Sequence, residues 1–278
     1  MPRRRTALAL LAAATATLGR VATAAPSAEP WPRWEPHDER SRLTVDHAPW
    51  ASLLERYVRR SADGINRVAY AAIDPAAEAE AKAYVMTLAS MPVTQLRRSE
   101  QLAYWINLYN VLTVCTVHGH YPVASIRDID ISPGLFSNGP WGAKLVVVEG
   151  EPLSLDDIEH RILRPIWRDS RIHYAVNCAA LGCPNLQRQP FLAEGIDKQL
   201  DAAAMAYVNH PRGVSFDAER LRVSSLYVWY MADFGGSDRE VIRHLMAYAE
   251  PELAMRLQAR QRIDDDAYDW RLNDAGSG

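Results

Sequence analysis

The chain is short of lysine and of cysteine, and it has no surplus of positive charge. Its three lysines, Lys82, Lys144 and Lys198, stand against many arginines, a bias of base composition rather than of function. A formal net charge of -3 argues against a dedicated nucleic-acid binder, which would carry a basic patch or stripe. No glycine-rich phosphate loop is present, because the glycines between 134 and 142 lack the Lys-Ser/Thr ending and the strand-to-helix context. Internal repeats are absent, as are low-complexity segments after residue 36. Beyond the N-terminus there is no second long apolar run, so no membrane span is expected once that segment is removed. His118, His120, His160 and His173 lack metal-ligand spacing, His118-Gly-His120 coming nearest, so neither a metal nor a cofactor is expected.

What is present begins with Arg3-Arg4-Arg5, an apolar run over residues 6–18, and Ala22-Thr23-Ala24. This is the pattern of a Sec-type signal peptide over residues 1–24, with cleavage before Ala25. The apolar run is too short to span a bilayer comfortably, and no cysteine near the cut marks a lipoprotein. A periplasmic or secreted protein is expected. Residues 25–45, rich in proline and charge, read as a linker or surface arm, and 46–273 as a single domain. With 48% hydrophobic residues, that domain can build a real core.

Helical spacing begins at Trp50, and Val68–Ile73 reads as a short strand. Asp74-Pro75 caps an alanine-rich helix. Ser99 is the expected N-cap of the most apolar helix, which runs to His118 and is buried nearly all round. At about 100° per residue, Glu100, Asn107, Asn110 and His118 fall in one sector of it. Such a stripe either hydrogen-bonds neighbouring backbone or lines a site. Hairpins are expected at 144–153 and 214–223. Between them, Ser154-Leu-Asp-Asp157 resembles a capping box opening a helix that Pro165 stops. The aromatic residues of 227–234 recur at helical spacing, which suits core better than a carbohydrate platform. Helices with short, hairpin-connected strands argue for an α+β fold, mostly helical with a small antiparallel sheet.

The densest chemistry is His173-Tyr-Ala-Val-Asn-Cys-Ala-Ala-Leu-Gly-Cys-Pro184, read as a strand over 172–177 followed by a turn. Tyr104-Trp-Ile-Asn-Leu-Tyr-Asn110, Gly139-Pro-Trp141, Leu155-Asp-Asp-Ile-Glu-His160, Arg171-Ile-His173, Cys178, Cys183-Pro184 and Tyr268-Asp-Trp270 follow in order. Together they resemble the bacterial family of domain of unknown function 547, over roughly residues 95–235 and the tail. The resemblance implies no stated activity. Related domains in plants, some beside glutaredoxin-like modules, hint at thiol chemistry.

Two readings of the cysteines compete. In a thiol-dependent hydrolase or transferase, Cys183 or Cys178 is the nucleophile, His173 or His160 the base, and Asn107 or Asn110 the orienting group. On a regular strand, however, His173 and Cys178 point to opposite faces. Cys183 is better placed, after a flexible Ala-Leu-Gly turn. Papain-like and transglutaminase-like enzymes set their cysteine at the start of a buried helix. The arrangement here is similar, but the helix start offers Ser99 and Glu100 and no cysteine. In the other reading Cys178 and Cys183 form a structural disulfide, which suits an oxidising compartment and leaves Cys115 as a buried free thiol. The function is then binding of an unknown small molecule or peptide, or catalysis by Glu100, Glu159, His160 or His173. Either way the expected site lies between the 99–118 helix and the 172–184 turn.

Overall fold

The computed structural model describes residues 26–134 and 139–276. The expected signal peptide lies outside the described residues. The elements in order are helix α1 (Ala48–Tyr57), the hairpin β1 (Val58–Arg60) and β2 (Asn66–Val68), and helices α2 (Pro75–Ala89) and α3 (Arg98–Gly119). Next come the hairpin β3 (Val146–Val148) and β4 (Glu151–Leu153), a π-helix (Asp157–Leu163) and the short α4 (Arg164–Trp167) that continues it. Helix α5 (Ile196–Val208), strands β5 (Val214–Asp217) and β6 (Arg220–Ser224), and α6 (Ser225–Trp229) follow, then α7 (Asp238–Tyr248), α8 (Pro251–Gln258) and β7 (Asp265–Ala267). The fold is α+β: helices around small hairpin sheets. Both expected hairpins form, with Val146 opposite Leu153 and Val214 opposite Val223. β7 adds to β6 in parallel, so the third sheet is mixed.

Helix α3 is the axis of the larger core. Every residue from Glu100 to Thr113 is buried, with Tyr104, Trp105 and Leu108 among them. A second cluster gathers α5, α7 and the β5–β6 hairpin around Tyr207 and Tyr227. Residues 26–45 run mostly exposed over the surface but anchor inward at Trp34, which is buried edge-on against Trp105 at 5.1 Å. The tail returns to the domain, where Leu272 bridges to Ala180 and Asn273 N–H donates to the Ala179 carbonyl.

Four local expectations are corrected. Helix α3 is capped at Arg97 rather than Ser99, because Gln101 N–H already closes the first turn on the Arg97 carbonyl at 2.9 Å. The strand read over residues 68–73 ends at Val68. There Ala69 N–H goes to the Tyr57 carbonyl, and Tyr70–Ala72 closes as a 3-10 turn. The strand read over 172–177 is a 3-10 turn, Ser170–Tyr174, started by Asp169, whose carboxylate accepts from Arg171 N–H at 2.9 Å. Pro165 does not stop its helix; the chain runs on to Trp167 and leaves through Arg168 in the left-handed region.

Candidate functional site

The helix carrying the site begins with a reciprocal cap. Ser154 Oγ accepts from Asp157 N–H at 3.1 Å, and Asp157 Oδ2 accepts from Ser154 N–H at 2.9 Å. The next seven residues wind as a π-helix, in which each N–H reaches five residues back; Arg164 N–H donates to the Glu159 carbonyl. Pro165 has no N–H for the carbonyls of Arg161 or His160, four and five residues before it. The N-terminal arm supplies the missing donors. Glu29 N–H bonds the His160 carbonyl at 3.0 Å, and Trp31 N–H bonds the Arg161 carbonyl at 3.2 Å. Trp31 also receives the Arg161 guanidinium over its ring at 4.1 Å. The proline that should end the helix thus becomes the place where the arm docks, and Pro26 is brought to the edge of a cavity.

That cavity has a volume of about 520 Å³. Its polar side is built from the π-helix, the Ser170–Tyr174 turn and the end of α6. His173 Nε2 lies 2.7 Å from Asp233 Oδ2, and a carboxylate only accepts, so that nitrogen carries the proton. Arg164 holds the same carboxylate with two bonds, Nε to Oδ2 at 2.6 Å and Nη2 to Oδ1 at 3.1 Å. Burial would raise the Asp233 carboxyl; the bonds from His173 and Arg164 overcome it and hold it below the usual range. Tyr230 stacks on the His173 ring at 4.1 Å, with the Arg164 guanidinium 4.8 Å from the same Tyr230 ring. The imidazole is therefore fixed in tautomer and in plane.

Its other nitrogen, Nδ1, faces Glu159 Oε1 at 3.8 Å. Glu159 is buried, which would raise its carboxyl, but His160, His173, Arg164 and the Tyr109 hydroxyl outweigh burial and lower it. With the Nε2 proton directed to Asp233, Nδ1 is the ring nitrogen left to exchange a proton, and the carboxylate facing it stabilises the charged ring.

Arg164 Nη1 sits 3.0 Å from His160 Nδ1 and 2.7 Å from the Pro26 carbonyl oxygen. A guanidinium only donates, so His160 carries its proton on Nε2, turned toward Asp156 Oδ1 at 3.6 Å. Burial, followed by the Glu159 and Asp157 charges, pushes Asp156 up to about 6. Two carboxyls of one cavity are thereby driven apart in acidity, Glu159 downward and Asp156 upward.

Cys178 and Cys183 form a disulfide on the cavity wall. The Tyr268 hydroxyl lies 3.1 Å from one sulfur and 3.0 Å from the other. Gly182 permits this approach, since a Cβ there would come within 2.8 Å of Asp269 N and 3.0 Å of the Tyr268 ring. Bridged sulfurs carry no thiolate. Cys115 is the free cysteine, half-buried, and burial pushes its thiol up to about 11.

The structure brings His160, His173, Cys178 and Cys183 to one cavity, and the parity objection lapses because no strand separates them. Glu100, Asn107 and Asn110 are not among its lining residues. Asn107 exchanges two hydrogen bonds with the backbone of Phe191, at 2.7 and 3.1 Å. Asn110 donates to the Ala175 carbonyl and accepts from Asn177 N–H, both at 2.9 Å. Glu100 pairs with Arg97 at 3.2 Å. Sequence reasoning missed Asp156, Arg164, Asp233 and the aromatic residues Tyr230 and Tyr268. For Asp156 and Arg164 the fourfold spacing through His160 was a usable signal; Asp233, far along the chain from His173, offered none. Among the described residues no group of three His, Cys, Asp or Glu is placed to hold a metal ion.

Residues 93–208 match the model of a family described as Protein of unknown function, DUF547. Neither a curated protein nor a solved structure matches the chain. The matched segment contains Asp156, Glu159, His160, His173 and both bridged cysteines, whereas Tyr230, Asp233 and Tyr268 lie beyond it.

Proposed function

We propose, from the match of residues 93–208 to the DUF547 family and from the site that segment helps to build, that the protein is an exported hydrolase working by acid–base catalysis without a thiol. The observation that carries this reading is His173, held by Asp233 on one nitrogen and facing ionised Glu159 with the other, at the wall of a cavity. In this reading His173 Nδ1 takes a proton from water, Glu159 stabilises the imidazolium that results, and Asp156 gives a proton to the leaving group. Glu159, His160 and Asp156 thus replace the contribution first expected from Glu100, Asn107 and Asn110. Export is supported by the signal pattern of residues 1–24 and by a disulfide, which persists in oxidising compartments such as the periplasm or the extracellular space.

The test is a panel of chromogenic esters, amides and glycosides hydrolysed by wild type and by His173→Asn, with circular dichroism to confirm folding. Turnover that falls by about 10²- to 10⁴-fold supports the reading. A folded His173→Asn protein as active as wild type overturns it. One observation favours a second reading: Cys178, Cys183 and His173 share the cavity, so reduction would place two thiols beside an imidazole. Activity that appears only with reductant and is abolished by iodoacetamide would select that thiol-dependent reading instead.

A further inference from the structure

Beside the acid groups, the cavity is lined by a cluster of rings. Trp270 stacks with Trp229 at 5.5 Å and 28°, and Trp141 meets Trp270 edge-on at 5.9 Å. Tyr268 closes the group at 4.8 Å from Trp229 and 4.7 Å from Trp270. All four are half-buried, unlike Tyr227 and Phe234 of the neighbouring core, so each keeps apolar surface turned to the cavity. Apolar surface left wet in a concave site is surface for a ligand to cover.

We propose that this cavity takes an uncharged saccharide, with a pyranose face laid against the ring surface that Trp141, Trp229 and Trp270 leave open to the cavity. The lining charges are of both signs. The Arg127 guanidinium lies over Trp270 at 5.2 Å, and the carboxyl of Glu159, in the same lining, is held low. A ligand of single net charge meets one repelling group, and a neutral one meets none. The angles between rings separate a sugar from a flat heteroaromatic. Tyr268 is tilted 54° to Trp229 and 53° to Trp270, and Trp141 is 71° from Trp270. These rings form a curved wall rather than a parallel-sided slot, which suits the C–H faces of a chair better than a planar ring. In the same lining, Asp156 and Glu159 as acceptors and His160 Nε2–H as donor match hydroxyls. The volume suits a ligand of about disaccharide size.

This inference rests on the hydrolase reading only for its choice of cavity, so binding is measured apart from turnover. Cellotetraose, maltotetraose, xylotetraose and tetra-N-acetylchitotetraose are titrated by calorimetry into the protein and its Trp229→Ala and Trp270→Ala variants. The expected result is that at least one binds wild type, and binds each tryptophan variant about tenfold or more weaker. If a tryptophan variant does not fold, N-bromosuccinimide oxidation of wild type gives the same answer. Bound saccharide then protects Trp141, Trp229 and Trp270 but not the half-buried Trp167 outside the cavity. No binding by any of the four overturns the inference, and so does binding that leaves the wall tryptophans unprotected. Ester or amide hydrolysis dependent on His173 without saccharide binding overturns it while leaving the hydrolase reading in place. Tryptophan-dependent binding with no hydrolysis of any substrate supports it and removes the hydrolase reading.

Discussion

Two helices of this protein bury polar side chains, and they do so to opposite ends. On α3, Asn107 and Asn110 are almost wholly enclosed, and each forms two hydrogen bonds to backbone of a distant loop. On the π-helix, Glu159 and His160 are nearly as deeply enclosed, but their partners are other ionisable or hydroxyl groups at the edge of a cavity. Burial does not distinguish the pairs; hydrogen-bond accounting does. An asparagine that gives donor and acceptor to the backbone of another loop is tied in place away from the cavity, whereas a carboxylate 3.8 Å from an imidazole nitrogen still has a proton to accept. The asparagines rivet the loops at 175–177 and 191 to the central helix, and the π-helix keeps its groups available.

This contrast can be broken at either helix. The largest effect is expected at the available groups: His173→Asn lowers turnover by about 10²- to 10⁴-fold, with an unchanged far-ultraviolet spectrum. A loss explained wholly by unfolding would dissolve the distinction. Next come the rivets. Asn107→Ala and Asn110→Ala each strand two buried backbone groups and cost about 2–3 kcal/mol in urea unfolding, while turnover per folded molecule stays as in wild type. A melting temperature that does not move would count against the accounting. Reducing Cys178–Cys183 costs about 2 kcal/mol through the short loop it closes, read as a lower melting temperature in dithiothreitol. Thiol titration of the denatured protein gives one free thiol without reductant and three with it.

The smallest effect concerns Asp156. Its carboxyl titrates near 6 in the folded protein and near 4 in the unfolded chain, so between those values the folded state holds a proton that the unfolded state has lost. Stability attributable to this group therefore falls as pH rises through that window. Asp156→Asn escapes the penalty, and its advantage over wild type grows from about pH 4 to about pH 6 and then levels off. Parallel stability curves for the two proteins would place Asp156 in a less burdened setting than the cavity provides.

Much of this could be read before any coordinates. Ser154 and Asp157 cap each other as their spacing implies, and both hairpins pair as expected, because cap and turn chemistry is local. The polar stripe on α3 was visible too, but its targets were not, since Phe191 and Ala175 are neighbours only after folding. The same holds for Asp233, whose pairing with His173 is a tertiary fact. Residues 172–177 look like a strand because Ile172, Tyr174 and Val176 suit one, yet Asp169 caps a tight turn that runs into them and the preference yields. The π-helix escaped notice because a seven-residue apolar pattern fits either helix period and the proline signalled an end.

That proline governs the order in which the molecule can be completed. Glu29 and Trp31 are synthesised long before His160 and Arg161, whose carbonyls they bond. At about 5–20 residues per second, the arm stays unpartnered for on the order of ten seconds. It can dock only after the π-helix has wound and left those two carbonyls open, so its first residues are among the last pieces set in place. Largely exposed, they are also among the first to lift away when the structure fluctuates. Trimming or fusion at residues 26–31 therefore disturbs the rim of the cavity, the seat of Arg164 and the edge of the larger core, where Trp31 packs against the buried Trp34.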